Sequence, residues 1–206
     1  MTHQGRDCAR ETITYDSQGA EAERRCLDSD SAPTVSSVWG AAGVRWERDS
    51  RGSIVREQWL NVEGAPTMTR HGYATKSTRF DGRGAVFTIS LLDAHGRPTF
   101  GNECWAERRY ARDAQGQEVS VRTVDTLGNL VADVHGVAQV QTTRSRGLTK
   151  TRMLGVDGQA IGVAGGVAGR DVSRDAWGRV VSVTVVDVTG LPLRDPETGC
   201  ATLETV

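Results

Sequence analysis

Histidines, cysteines and carboxylates are the residues with the most obvious chemical potential, and their spacing does not favour catalysis. His71 and His135 lie at the same phase of a repeat, whereas His95 lies in a turn and His3 lies near the N-terminus. No serine, cysteine or aspartate stands in a recognisable nucleophile context beside them, so no catalytic triad is predicted. We therefore expect a protein that is not an enzyme and that needs no cofactor.

Metal-binding patterns are equally weak. Asp28-Ser29-Asp30-Ser31 is similar to the start of a calcium loop, but position 12 of such a loop is Trp39 rather than glutamate. The cysteines are too far apart for a Cys-x-x-Cys motif, and their redox state stays open: Cys8, Cys26, Cys104 and Cys200. No metal site is predicted.

A set of aromatic and imidazole side chains falls beside a recurring Gly-x-Ala motif. In a stacked repeat array, positions of equal phase align into a stripe. The stripe has two interpretations: a packing ladder that caps the sheet edge, or a binding surface for glycan or peptide, since flat rings provide contact area at low entropic cost. The candidate binding residues are Trp39, His71, Tyr73, Trp105 and His135.

The elements that would position these residues are tandem turns. An Asp-x-x-Gly motif recurs in one frame about every 32 residues. An Asp side chain can accept hydrogen bonds from the amides that follow it, and Gly supplies the positive φ of a hairpin turn with a bulge. Arg144 replaces Asp in the fifth copy, so we expect that copy to be the least regular. The turn glycines are Gly19, Gly52, Gly84, Gly116, Gly147 and Gly178.

Two further motifs share this period. Leu92–Pro98 exemplifies a Leu-Asp-x-x-Gly-x-Pro turn, and Gly72–Ala74 exemplifies the Gly-x-Ala boundary. An extended segment after each second turn is predicted as either a third strand or a linker. We expect residues 202–206 either to fray or to pair as a lone strand, with the sixth unit in an open array or with the first unit in a closed ring. The predicted units of this single array are 8–39, 40–71, 72–103, 104–135, 136–165 and 166–198, with a partial seventh at 199–206.

Between the turns the sequence alternates with period two. Phe87, Ile89 and Leu91 are separated by Thr88 and Ser90. This alternation predicts a strand with one buried face and one wet face, and no helical period competes with it. Each unit buries only a narrow face and needs its neighbours. The predicted fold is all-β, with tandem antiparallel β-hairpin repeats stacked into a curved or spiralling sheet.

The turns resemble the YD or RHS repeats of bacterial wall-associated and toxin-encapsulating proteins, in which an aromatic residue precedes Asp-x-x-Gly. Tyr15-Asp16-Ser17-Gln18-Gly19 and Phe80-Asp81-Gly82-Arg83-Gly84 carry the resemblance. It implies a β-sheet shell or filament within a larger bacterial protein, and it implies no reaction.

Composition narrows the class of partner. The net charge is −1, so no basic field attracts nucleic acid. No apolar stretch approaches the ~18 residues of a membrane span, so no membrane insertion is expected. The N-terminus has no signal pattern, and both cytoplasmic and exported locations stay open. Protein and glycan both remain as partners, and open sheet edges predict self-association.

The predicted function is therefore a non-catalytic repeat module for binding or scaffolding. Two alternatives stay open. The chain could be a structural shell or spacer of an RHS-like toxin-delivery protein, or a hydrolase with a site that its sequence does not reveal.

Overall fold

The computed structural model describes residues 8–194 and 201–204. The chain divides into two compact units, Met1–Asn102 and Glu103–Val206, which are described separately. Strands of the first unit are β1 (Arg10–Tyr15), β2 (Glu21–Leu27), β3 (Gly43–Arg48), β4 (Ile54–Leu60), β5 (Thr75–Phe80) and β6 (Val86–Leu92). Those of the second are β7 (Glu107–Arg112), β8 (Glu118–Val124), β9 (Gln139–Ser145), β10 (Leu148–Leu154), β11 (Gly169–Arg174), β12 (Val180–Val186) and β13 (Thr202–Glu204). Among the described residues, the one helical segment is a 3-10 turn at Ala164–Gly166.

Consecutive strands in each unit pair antiparallel, which confirms the predicted all-β class and the tandem hairpins. Each hairpin aligns six or seven residue pairs. Neighbouring hairpins within a unit are joined by three pairs, or by five between β10 and β11. Strand β13 pairs with Ser182–Thr184 of β12, as expected for the open alternative rather than the ring.

The first turn has the predicted geometry in five of the six repeats. The Asp49 carboxylate accepts hydrogen bonds from the amides of Arg51 (2.9 Å) and Ser53 (3.0 Å). Gly52 has a φ of 81°, which a residue with a Cβ adopts only under strain. Five of the six hairpins carry a bulge just before this turn. The fifth copy differs, as expected: Ser145 pairs directly with Leu148, and the bulge is absent.

The second turn of a repeat uses the same hydrogen-bond arrangement. Asp93 accepts hydrogen bonds from the amides of Arg97 (2.9 Å) and His95 (2.8 Å), and these contacts lower the pKa of its carboxyl group. A hydrogen bond from the Thr189 hydroxyl group, together with backbone amides, lowers the pKa of Asp187. After each such turn the chain makes a single bridge back to its strand. The following segment is therefore a linker and not a third strand.

The Gly-x-Ala boundary forms a third turn. Gly72 donates its amide to the carbonyl of Thr69 (3.1 Å), and the Thr69 hydroxyl accepts the His71 amide (3.2 Å). Ala74 then enters the sheet by donating to the carbonyl of Leu92 (2.8 Å), and its side chain is fully buried. Equivalent buried alanines open the other repeats: Ala42, Ala106, Ala138 and Ala168.

The core of each unit lies at the strand ends where the second and third turns close. Leu60 and Val186 are buried there, while Phe87, near a hairpin tip, is 48% exposed and its neighbour Thr88 only 5%. The predicted alternation of a buried and a wet face is therefore wrong at Phe87 and Thr88, although Leu91 is buried as expected. Because the described strands of a unit form one layer, burial depends on distance from the turns as well as on the face.

A disulfide bond fastens the first hairpin. Cys8 is bonded to Cys26, which is fully buried at the end of β2. Cys104 is exposed and forms no disulfide bond with another described residue. The bond joins the start of β1 to the end of its partner strand, so it restrains the outermost described strand of the first unit.

Candidate functional site

Third turns of neighbouring repeats are linked through their backbones. In the first unit the Arg70 amide donates to the carbonyl of Trp39 (3.5 Å), and the Asn102 amide donates to the carbonyl of His71 (2.9 Å). The Asn102 side chain also donates to the carbonyl of Arg70 (2.6 Å). These linked turns bring Trp39, His71 and Tyr73 to one edge of the first unit. We call this edge the third-turn edge.

Aromatic rings cover part of the third-turn edge in the first unit. The Trp39 ring lies 5.8 Å from that of Trp59, tilted by 48°, and the His71 ring stacks on Tyr73 at 6.2 Å. His71 is exposed, whereas Trp39 and Tyr73 are half-buried. The Trp59 indole nitrogen is buried and has no hydrogen-bond acceptor among the described residues. The edge therefore presents flat rings backed by a second layer of aromatic packing.

The candidate residues of the second unit have a different setting. Trp105 is only 7% exposed, its indole N–H donates to the Glu103 carboxylate (2.8 Å), and the Arg108 guanidinium lies 4.6 Å from its ring centre. His135 is exposed, and its neighbour Val134 donates to the carbonyl of Glu103 (3.2 Å). Trp105 thus has the environment of a packing residue, while His135 faces water.

The stripe omits aromatic residues that the strands carry. Trp46 lies opposite Glu57, and its indole nitrogen is 3.4 Å from the Glu57 carboxylate. Lys76, the next residue across the sheet, pairs with the same carboxylate at 3.4 Å. Trp59 lies on this face too, two residues after Glu57. The period-two pattern from the turn glycine could have assigned Trp59 to this face, but its contact with Trp39 has no sequence signal.

The second unit contains a groove of about 340 Å³ on the face that bears Tyr110. Tyr110 of β7 lies opposite Val121 of β8, and Val121 lies opposite Val140 of β9. Side chains of directly opposed residues share a face, so these three form a row across the groove. Charged side chains line the groove as well, namely Arg108, Glu118 and Asp133.

Comparison with known proteins does not assign this chain: no protein-family model matches it, and no curated protein matches it. In the described part of the chain, His, Cys, Asp and Glu side chains form no group that could hold a metal ion. A helix long and apolar enough to cross a membrane is absent from the same residues. The third-turn edge and the groove are therefore considered on their geometry alone.

Proposed function

We propose that this chain is a non-catalytic β-hairpin repeat module that binds or scaffolds a partner. One observation supports the proposal: aromatic rings lie together on turns that hydrogen bonds order. The Trp39 ring lies 5.8 Å from that of Trp59, and the His71 ring stacks on Tyr73 at 6.2 Å. Flat rings provide contact area at low entropic cost.

The third-turn edge of the first unit is the surface that we propose for a protein or glycan partner. Trp39, His71 and Tyr73 lie on turns that hydrogen bonds already order. A ligand that contacts them pays little for ordering the protein, which favours affinity. Trp105 packs within the second unit and is not proposed to contact the ligand.

The experiment is a screen of the intact chain against glycan and peptide arrays, followed by titrations of two variants. We expect Tyr73→Ala to weaken binding about tenfold, the equivalent of about 1.4 kcal/mol, and to lower the free energy of unfolding by no more than about 1 kcal/mol. Tyr15→Ala is the matched control, because Tyr15 is an exposed tyrosine of the same unit at a hairpin tip. The proposal fails if no ligand binds. Equal effects of the two variants would exclude the third-turn edge.

A second candidate function is a structural spacer of a larger protein of the YD or RHS type. It is favoured by the turns at Asp16 and Asp81, which have the same hydrogen bonds and follow the aromatic residues Tyr15 and Phe80. A full-length polypeptide that carries a catalytic module beyond the repeats would support it. A polypeptide without any further domain would contradict it.

A further inference from the structure

Strands β7–β10 carry the groove on one face and a set of polar side chains on the other. Successive residues of a strand point to opposite faces, so the neighbours of Tyr110 and Val121 lie on the face away from the groove. We call this second surface the polar face, and define it by Arg109, Arg122, Gln139, Gln141, Thr143, Lys150 and Arg152. Five of these residues are exposed, namely Arg109, Arg122, Gln141, Thr143 and Lys150.

Two arginines are directly opposed on the polar face. Arg109 of β7 is the register partner of Arg122 of β8, an arrangement in which like charges repel. The charge of Arg109 is offset by the Glu107 carboxylate, at 2.6 Å. Arg122 forms no ion pair with a described residue, and its hydrogen-bond acceptor is the neutral amide of Gln139, at 3.1 Å. Arg122 therefore leaves an uncompensated positive charge on an exposed surface.

The repeat fold does not require this pair of arginines. Arg45 occupies the position of Arg109 in the second repeat, but it lies opposite Gln58 rather than a second arginine. Across the neighbouring junction, Glu23 lies opposite Arg45 and pairs with it at 2.8 Å. The first unit thus neutralises its arginine at this position, whereas the second unit adds Arg122 without a carboxylate.

A second positive charge lies two strands away. Lys150 of β10 is 3.9 Å from the Asp171 carboxylate, which also accepts a hydrogen bond from Arg152. Because two cations share one carboxylate, one positive charge remains in excess there. The β9 partners of Arg122 and Lys150 are four residues apart, so the two cations are separated by about 16 Å. The exposed Gln141 lies on β9 between them.

We propose that the polar face binds an acidic glycan, a chain of sugars that carries uronic-acid carboxylates. The inference rests on the proposed binding function and adds a site separate from the third-turn edge. A carboxylate matches the guanidinium group of Arg122, and sugar hydroxyl groups can hydrogen-bond to Gln141 and Thr143. The centre of a protein interface is usually apolar and aromatic, and single-stranded nucleic acid binds where its bases stack on rings. The residues that define the polar face provide neither, which favours a glycan.

Titrations with two tetrasaccharides test the charge requirement. Tetragalacturonate is expected to bind at least tenfold more tightly than its fully methyl-esterified form, which has the same backbone without the negative charges. Added salt should weaken binding of the acid form, because the cations of the polar face are exposed to solvent. Equal affinity for the two forms would overturn the inference. Equal or tighter binding of tetraglutamate or of a thymidine tetranucleotide would overturn it as well.

Two substitutions locate the site. Arg122→Gln is expected to weaken binding of tetragalacturonate at least tenfold and to preserve the fold, because Gln58 has the same position in its repeat. Gln139→Glu should have a similar effect, because it gives Arg122 the kind of carboxylate partner that Arg45 has. Arg146→Gln is the control, because it removes the same charge from an exposed hairpin tip. An equal loss in the control would show that binding follows net charge alone and would refute the site.

Tyr73→Ala separates this inference from the proposed function. Binding of tetragalacturonate should be unchanged by Tyr73→Ala, and chemical-shift changes on the unmodified protein should centre on β8–β10. Loss of binding in Tyr73→Ala but not in Arg122→Gln would refute the polar face while supporting the third-turn edge. If tetragalacturonate does not bind at all, the inference fails, and a peptide or neutral glycan hit on the arrays would still support the proposed binding function.

Discussion

Two tryptophans of the second unit provide a direct test of where its core lies. Trp105 is 7% exposed, whereas Trp177, at the tip of the β11–β12 hairpin, is 80% exposed. A buried tryptophan removes about 150–250 Å² from water, and at about 25 cal/mol per Å² this is an upper limit of about 4–6 kcal/mol. Trp105→Ala also removes the hydrogen bond to Glu103 and the ring beneath Arg108.

We expect Trp105→Ala to lower the free energy of unfolding by about 3 kcal/mol, near the low end for tryptophan truncation, because the Arg108 side chain can settle into the space. For a chain of this size that corresponds to about 6–12 °C in melting temperature. Trp177→Ala should change the free energy by less than about 0.5 kcal/mol. Urea unfolding followed by far-ultraviolet circular dichroism measures both. Losses that agree within 1 kcal/mol would refute the assignment of Trp105 to the core.

Three further predictions concern the turns and the disulfide bond. Gly84→Val should lower the free energy of unfolding by about 1–3 kcal/mol, because Gly84 has a positive φ. Gly82→Val in the same turn should be nearly neutral, because Gly82 has an ordinary φ and open space around it. Thermal unfolding of the two variants would contradict this prediction if both lost the same stability. Since the pKa of Asp187 is lowered by folding, its contribution to stability is complete above the unfolded pKa of about 3.9 and is lost as the pH falls through the folded pKa, which carboxyl NMR titration should place below 3.9. Cys8→Ser should destabilise by about 3 kcal/mol for a bond that spans 18 residues, while Cys104→Ser should have little effect; equal hydrogen exchange in β1 of the two variants would show that the bond does not restrain the strand.

The turns of this protein could be predicted from its sequence because each is specified locally. Asp49 and Gly52 determine a hairpin through hydrogen bonds that span up to four residues. The other repeats carry the same motif, except the fifth, in which Arg144 replaces the aspartate. Burial could not be predicted in the same way. Thr88 and Phe87 exchange their expected environments because exposure in a single layer depends on distance from the closing turns.

The candidate site was only partly accessible to sequence reasoning. The phase of the repeat places these residues beside the third turns, but it carries no information about how deeply each side chain is buried. Trp105 and Tyr73 occupy the same position of their repeats, one buried beneath Arg108 and the other half-buried at an edge. The groove needs residues from three strands and one turn, so its lining comes together only when the strands are paired.

The pairing within and between hairpins has a mechanical consequence. In the first unit a hairpin is held by six residue pairs, and adjacent hairpins are joined by three. Under a pulling force applied across the strands of that unit, the junctions between hairpins should part before the hairpins themselves open. Extension would then proceed in steps of one hairpin, each of which keeps its turns and can pair again when the load is removed. Such a segment would yield under tension without losing its local structure.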